Sequence, residues 1–243
     1  MTMREDMAAE DASPPIQGWE WIAVAAATLV GAVLRFWNLG DIPPGLWYDE
    51  AINGLDALSI LREPGFPLFF TTEGHPREPL YMYLELIGVW IGGTNAVAIR
   101  AVSGVIGTLT IPAVWWMARV IAGPRVALFA LLFFVPMRWH VHFSRLAFRT
   151  ILTPLLCALI VGFVVRWSRE GKARDAAWAG ALLGLSLYTY LSMRLFLLAV
   201  LVALGWLAWR SWSEEGSRPR WRRGMLTGAA AFGLLVTPML VDM

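Results

Sequence analysis

This sequence is short of cysteine and of charge. Its one cysteine, Cys157, lies inside an apolar run, so no disulfide can form within the chain and cysteine usage says nothing of redox compartment. Charged residues are 16% of the 243, and the long apolar segments are nearly free of them. No internal repeat and no soluble domain is visible. The start also lacks the basic n-region and short apolar core of a cleaved signal. Residues 1–18, polar with Arg4 and a cluster of acids, are expected to form a disordered cytoplasmic tail. The net charge of +2 and the pI of about 9.0 come from basic residues scattered along the edges of apolar runs. They read as topology signals and not as a nucleic-acid patch.

What the chain has in abundance is apolar length. It is 58% hydrophobic with a mean hydropathy of +0.57, and the apolar residues come in long runs, which is the pattern of an all-α polytopic membrane protein. Of its 14 Trp, most fall at the ends of those runs (Trp19, Trp37, Trp139, Trp167 and Trp209 among them), as an interfacial aromatic belt requires. Residues 19–243 read as one membrane-embedded module with seven spans: Trp21–Trp37, Ala101–Met117, Val126–Met137 extended to about Phe143, Ile151–Val165, Ala176–Leu191, Leu195–Trp209 and Met225–Val241.

Residues 39–100 form a long first loop with two expected interfacial helices. The first runs from Glu50 to Arg62 and is stopped by Arg62-Glu63-Pro64-Gly65. The second, Pro79–Gly92, carries Glu85; at 1.5 Å per residue it reaches roughly 21 Å, short of the ~30 Å hydrocarbon core. If it does not cross and the N-terminus is cytoplasmic, the arginine-rich loops 119–125, 166–174 and 210–223 all fall inside, as the positive-inside rule demands. The long first loop, the loop around 144–149, the turn 188–194 and Asp242 then share the outer face, where an active site is expected.

On that face Asp49 and Glu50 are adjacent carboxylates, following a Pro43-Pro44-Gly45 turn and the aromatic pair Trp47-Tyr48. Asp49 suits the mouth of an active site, or it N-caps the helix that follows. Arg145, Arg149 and Arg194 stand where arginine is normally avoided. Their guanidinium forks suit a phosphate, or they snorkel to lipid headgroups. Glu73, His75 and Glu78 could supply ligands to a divalent cation, the one candidate cofactor, or the loop is simply solvated. Tyr188 and Tyr190 are interfacial, with substrate contact as the other reading. His140 and His142, two apart and so on nearly opposite helix faces, read as interfacial polar anchors and not as a metal pair.

Several stretches resemble one family in order and spacing: Arg35…Asn38-Leu39, Pro43-Pro44-Gly45…Tyr48-Asp49-Glu50-Ala51, Glu78-Pro79-Leu80-Tyr81, Ala98-Ile99-Arg100-Ala101-Val102-Ser103-Gly104, Phe143-Ser144-Arg145…Arg149 and Tyr188-Thr189-Tyr190…Arg194. The set is similar to the GT-C membrane glycosyltransferases. Nearest are the bacterial glycosyltransferase family 39 proteins, relatives of the dolichyl-phosphate-mannose protein mannosyltransferases and of the lipid A aminoarabinose transferase. The resemblance implies a sugar donor on a polyprenyl phosphate and a lipid, glycan or protein acceptor. Transfer would occur with inversion at the extracytoplasmic face of a bacterial plasma membrane. Asp49 is then the expected base, Glu50 its companion, Arg145, Arg149 or Arg194 the phosphate ligands, and Tyr188, Tyr190, Glu78 and His75 substrate contacts. Glu78 departs from the family's "PPLY" pair, and family members continue with further spans, so the chain is expected to be the N-terminal part of a longer enzyme. A transporter or a non-catalytic assembly partner is the alternative; the absence of charge in Ala101–Met117, Ile151–Val165, Leu195–Trp209 and Met225–Val241 speaks against transport.

Overall fold

The computed structural model describes residues 15–62, 67–70, 76–212 and 218–241. Glu73, His75 and Asp242 lie outside the described residues. The described chain is helical: α1 (Gly18–Phe36), α2 (Tyr48–Arg62), α3 (Leu80–Gly92), α4 (Ala96–Phe134), α5 (Arg138–Phe143), a 3-10 turn at Arg149–Ile151, α6 (Leu152–Glu170), α7 (Ala173–Ser186), α8 (Ser192–Trp212) and α9 (Arg218–Val241). A single antiparallel bridge between Phe70 and Arg77 is the one strand-like pairing among the described residues.

Five of these helices are long and apolar enough to cross a membrane: Gly18–Phe36, Ala96–Phe134, Arg149–Glu170, Ser192–Arg210 and Trp221–Val241. The other two expected spans take different forms. Val126–Met137 is the second limb of α4, which breaks at Gly123 because that residue takes φ 84°, a conformation open to glycine, with Pro124 opening the new limb. Ala176–Leu191 corresponds to α7, only 14 residues long. The short apolar element expected before Gly92 is present as α3, whose 13 residues reach roughly 20 Å.

Local sequence sets where these helices start and how closely they pack. At the start of α1 the Glu20 carboxylate accepts the Gln17 backbone N–H at 2.9 Å, and before α4 the Asn95 side chain accepts the Ala98 N–H at 3.0 Å; each satisfies a donor that the helix leaves free. Helices α7 and α9 meet where Gly180 and Gly184 face Gly228 and Phe232. A Cβ at Gly180 would lie 2.0 Å from the Gly228 carbonyl oxygen, so only glycine permits that approach.

Contacts between distant residues sort the bundle into two ends. At one end Glu20 of α1 pairs with Arg119 of α4, Arg166 of α6 with Asp175 of α7, and Trp167 packs on Trp221. At the other gather the C-terminus of α1, helices α2 and α3, α5, the 3-10 turn and the α7–α8 turn, as the Arg100–Glu50, Arg145–Leu34 and Leu80–Tyr188 bonds require. The loops expected on a common face are therefore at a common end.

Candidate active site

The turn at Pro43-Pro44-Gly45 has no regular structure of its own, and one buried arginine holds it in place. Arg100, near the start of α4 and 1% exposed, donates to the carbonyls of Leu39, Pro43 and Gly45. The same guanidinium forks onto Glu50, Nε to Oε1 at 2.8 Å and Nη2 to Oε2 at 2.9 Å. Glu50 also accepts the backbone N–H of Ala147 and of Trp47, each at 2.9 Å. Burial by itself would push the Glu50 carboxyl up; Arg100 and the two N–H groups outweigh it and hold the acid below its ordinary value.

Glu50, expected to orient the site or help hold a cation, has no oxygen left for a cation. Both its oxygens already carry two donors each, so it fixes the turn, α2 and the 144–149 loop to one another. The bond from Trp47 N–H to Glu50 also starts α2 at Tyr48. Asp49 lies within the first turn of α2, and the reading of Asp49 as N-cap is corrected.

Asp49 itself is half-buried and makes no hydrogen bond or ion pair among the described residues. It lines a cleft of about 470 Å³ with the Pro43–Gly45 turn, Trp47, His142, Phe143 and Phe148. Sequence reasoning missed His142. Its spacing from His140 showed that the two point apart, and that holds: His140 is buried against Arg35, while His142 is exposed to the Asp49 cleft. Nothing local distinguished which of the two would face an acid.

The three outer arginines part company. Arg145 was expected on a phosphate, but its two terminal nitrogens donate to the carbonyls of Leu34, Arg35, Trp37 and Ile42 at 2.6–3.2 Å and to that of Asn38 at 3.5 Å. The last carbonyls of a helix have no partner within it, and Arg145 supplies one for α1. This use of its donors removes it from the phosphate ligands. Arg149 stacks over the Tyr190 ring at 5.4 Å from the centroid, and its Nη1 is buried with no partner. Arg194, half exposed, makes a 3.4 Å pair with buried Glu78.

Tyr188 turns away from any substrate, donating its hydroxyl to the Leu235 carbonyl at 2.7 Å. Glu78, Tyr188 and Arg194 thus lie at the junction of α3, α7 and α8, and none of them lines the Asp49 cleft. Among the described residues no group of three or more His, Cys, Asp or Glu could hold a metal ion.

The geometry is one free carboxylate in an aromatic-walled cleft, on a turn held by a saturated carboxylate–guanidinium pair. It can take up a proton from a bound hydroxyl or amine. Comparison with solved structures gives the crystal structure of the Archaeoglobus fulgidus oligosaccharyltransferase in the apo form, with a TM-score of 0.67 at 18% identity. The match covers 92% of this chain and 30% of that one, so the likeness is one of fold, and this chain spans about three tenths of that protein's length. No curated protein sequence matches the chain. Residues 74–241, well over half of the 243, match the family described as dolichyl-phosphate-mannose-protein mannosyltransferase. That range begins beyond Asp49, and with it the chain belongs to the dolichyl-phosphate-mannose-protein mannosyltransferase family.

Proposed function

We propose that this chain is the membrane module of a glycosyltransferase that moves a sugar from a polyprenyl-phosphate donor to an acceptor hydroxyl or amine, with Asp49 as general base. The observation that carries the reading is the contrast within one dipeptide: Glu50 is fully engaged, while Asp49 is left free in a cleft. Asp49 takes the acceptor proton, the acceptor oxygen or nitrogen forms a bond to the anomeric carbon from the side opposite the phosphate, and the carbon–phosphate oxygen bond breaks. The configuration inverts and the lipid phosphate leaves with the electron pair. Family membership supports this chemistry, and the positive-inside pattern supports a cytoplasmic N-terminus with the cleft at the extracytoplasmic face.

The test is transfer of labelled sugar by membranes containing the protein with whatever C-terminal continuation its reading frame encodes, wild type against Asp49→Asn at matched expression. Asn keeps the size of the side chain but accepts no proton, so turnover falls by about 10²–10⁴-fold with unchanged membrane yield. Equal turnover in the two removes Asp49 from the mechanism.

A further inference from the structure

Helix α8 is the least embedded of the five spans: 11% of its apolar stretch is buried, against 17–44% in the others. Its first half packs inward through Met193 and Val200, but from Leu201 to Arg210 no residue is buried. Between α8 and helices α6, α7 and α9 runs a crevice of about 270 Å³, walled by Leu183, Leu197, Leu204, Met225 and Phe232 among others. No residue that lines it is charged. It reaches Trp167 and Gly224, so it belongs to the end of the bundle opposite the Asp49 cleft.

An unfilled apolar gap forfeits the dispersion contacts of every atom along it, and hydrocarbon chains surround a membrane bundle. The volume selects the occupant. A transmembrane helix is roughly 10–12 Å across with its side chains and does not enter such a space, whereas a single hydrocarbon chain does.

The rim selects further. Arg222 and Arg223 directly precede the crevice residues Gly224 and Met225; both are exposed, and neither makes an ion pair with a described residue. Arg222 stands one turn before Met225 and two before Ala229, which also lines the crevice, so all three share a side of α9. Arg210, exposed in the last turn of α8, has its guanidinium over the Trp206 ring. The described acids at this end are already taken: Glu20 by Arg119, Asp175 by Arg166 and Glu170 by Lys172. An apolar slot thus opens beside a cationic rim that the described acids do not neutralise.

We propose that this crevice is a site for an anionic diacyl phospholipid, with one acyl chain between α8 and the α7–α9 pair and the headgroup phosphate on Arg222 and Arg223. Basic residues at a gap between transmembrane helices recognise anionic headgroups in this way, and a guanidinium fork fits two phosphate oxygens. The lipid supplies the second half of α8 with the packing that the protein does not. It is held far from Asp49, so it is neither sugar donor nor acceptor, and the assignment does not rest on the glycosyl-transfer proposal.

The experiment is equilibrium binding of tritiated dioleoyl-phosphatidylglycerol to the detergent-solubilised chain in zwitterionic micelles. Unlabelled dioleoyl-phosphatidylcholine and farnesyl phosphate are the competitors. The expected result is saturable binding that each competitor displaces at least about tenfold less well than unlabelled phosphatidylglycerol. Arg222→Gln combined with Arg223→Gln weakens it about tenfold or more. Ala229→Trp, which fills the crevice from an exposed position of its wall, does the same; Ala230→Trp, exposed on the same helix but outside the crevice, leaves binding unchanged. Leu201→Trp fills the crevice from α8 and replaces Ala229→Trp if that variant does not fold. Unchanged affinity in the arginine double variant, or in the folded crevice-filling variant, overturns the site. Phosphatidylcholine competing equally overturns the anionic headgroup, and farnesyl phosphate competing equally or better overturns the diacyl assignment in favour of a prenyl phosphate.

Discussion

The two ends of the bundle treat their charged residues in opposite ways. At the end holding Glu20, Arg119, Arg166, Arg169 and Asp175, each of these has a partner: Glu20 binds Arg119, Asp175 binds Arg166, and Arg169 donates to the carbonyls of Val120 and Ile121. At the other end the pairing is deeper but incomplete. Glu50–Arg100 and Asp56–Arg77 are buried pairs, yet Asp49, His142, His140 Nε2, Arg149 Nη1 and Thr153 are left without partners. Unpaired polar groups cost stability, so a fold that pairs its buried charges at one end and leaves buried polar groups open at the other makes the second the candidate substrate-binding end.

Glu50→Ala is the substitution that breaks this contrast most severely. It strands a buried guanidinium and frees two N–H groups, and breaking such a pair from one side costs about 3–5 kcal/mol. Thermal unfolding checks it, and sugar transfer falls with it even below the melting temperature because the Pro43–Gly45 turn loses its anchor. Acid sharpens the same point. The Glu50 carboxyl is held below its ordinary value in the fold, so its contribution is complete above the unfolded-state value of about 4.3 and is lost as pH falls through the folded value. Stability measured from pH 6 down to pH 3 should therefore fall less steeply in Glu50→Gln than in wild type; identical slopes would mean that Glu50 is not the group responsible.

Packing gives the next effect. Gly180→Ala forces a Cβ to within 2.0 Å of the Gly228 carbonyl, so α7 and α9 must separate, with a loss of about 1–3 kcal/mol. Gly205→Ala meets no atom within 4 Å and gains about 0.5–1 kcal/mol from helix propensity. The two melting curves should move in opposite directions.

The smallest effect on turnover is expected at the closed end. Glu20 lies in the first turn of α1, and both Glu20 and its partner Arg119 are buried. Glu20→Gln keeps an acceptor for the guanidinium but loses the charge, so it should lower stability by about 1–3 kcal/mol and leave turnover per folded molecule unchanged. A loss of turnover there would end the division of the molecule into a structural end and a reactive end.

Much of this was legible without the structure, because it depends on neighbours along the chain. Apolar run length identified five of the seven expected spans as helices long enough to cross, the shortness of Pro79–Gly92 kept α3 from being taken for one of them, and residues 39–100, 144–149 and 188–194 were expected on one face. Positive φ at Gly123 was not legible, since a Gly-Pro pair between two apolar runs is equally consistent with a loop, and the first limb of α4 runs directly into the second.

What only the tertiary structure decided is which charges are free. Asp49 and Glu50 are chemically near-identical neighbours, and the difference between them comes from Arg100, fifty residues away, and from the Ala147 N–H. Arg145 looked as suited to phosphate as Arg149 until the helix-end carbonyls of residues more than a hundred positions earlier took its donors. The sequence by itself determined that this protein is a helical membrane bundle with its polar loops gathered at one end, because span length and periodicity are local properties. Whether a given acid or guanidinium there is a brace or a reagent depends on which distant donor or acceptor the folded chain brings to it, and a buried polar group has no solvent to fall back on when none arrives.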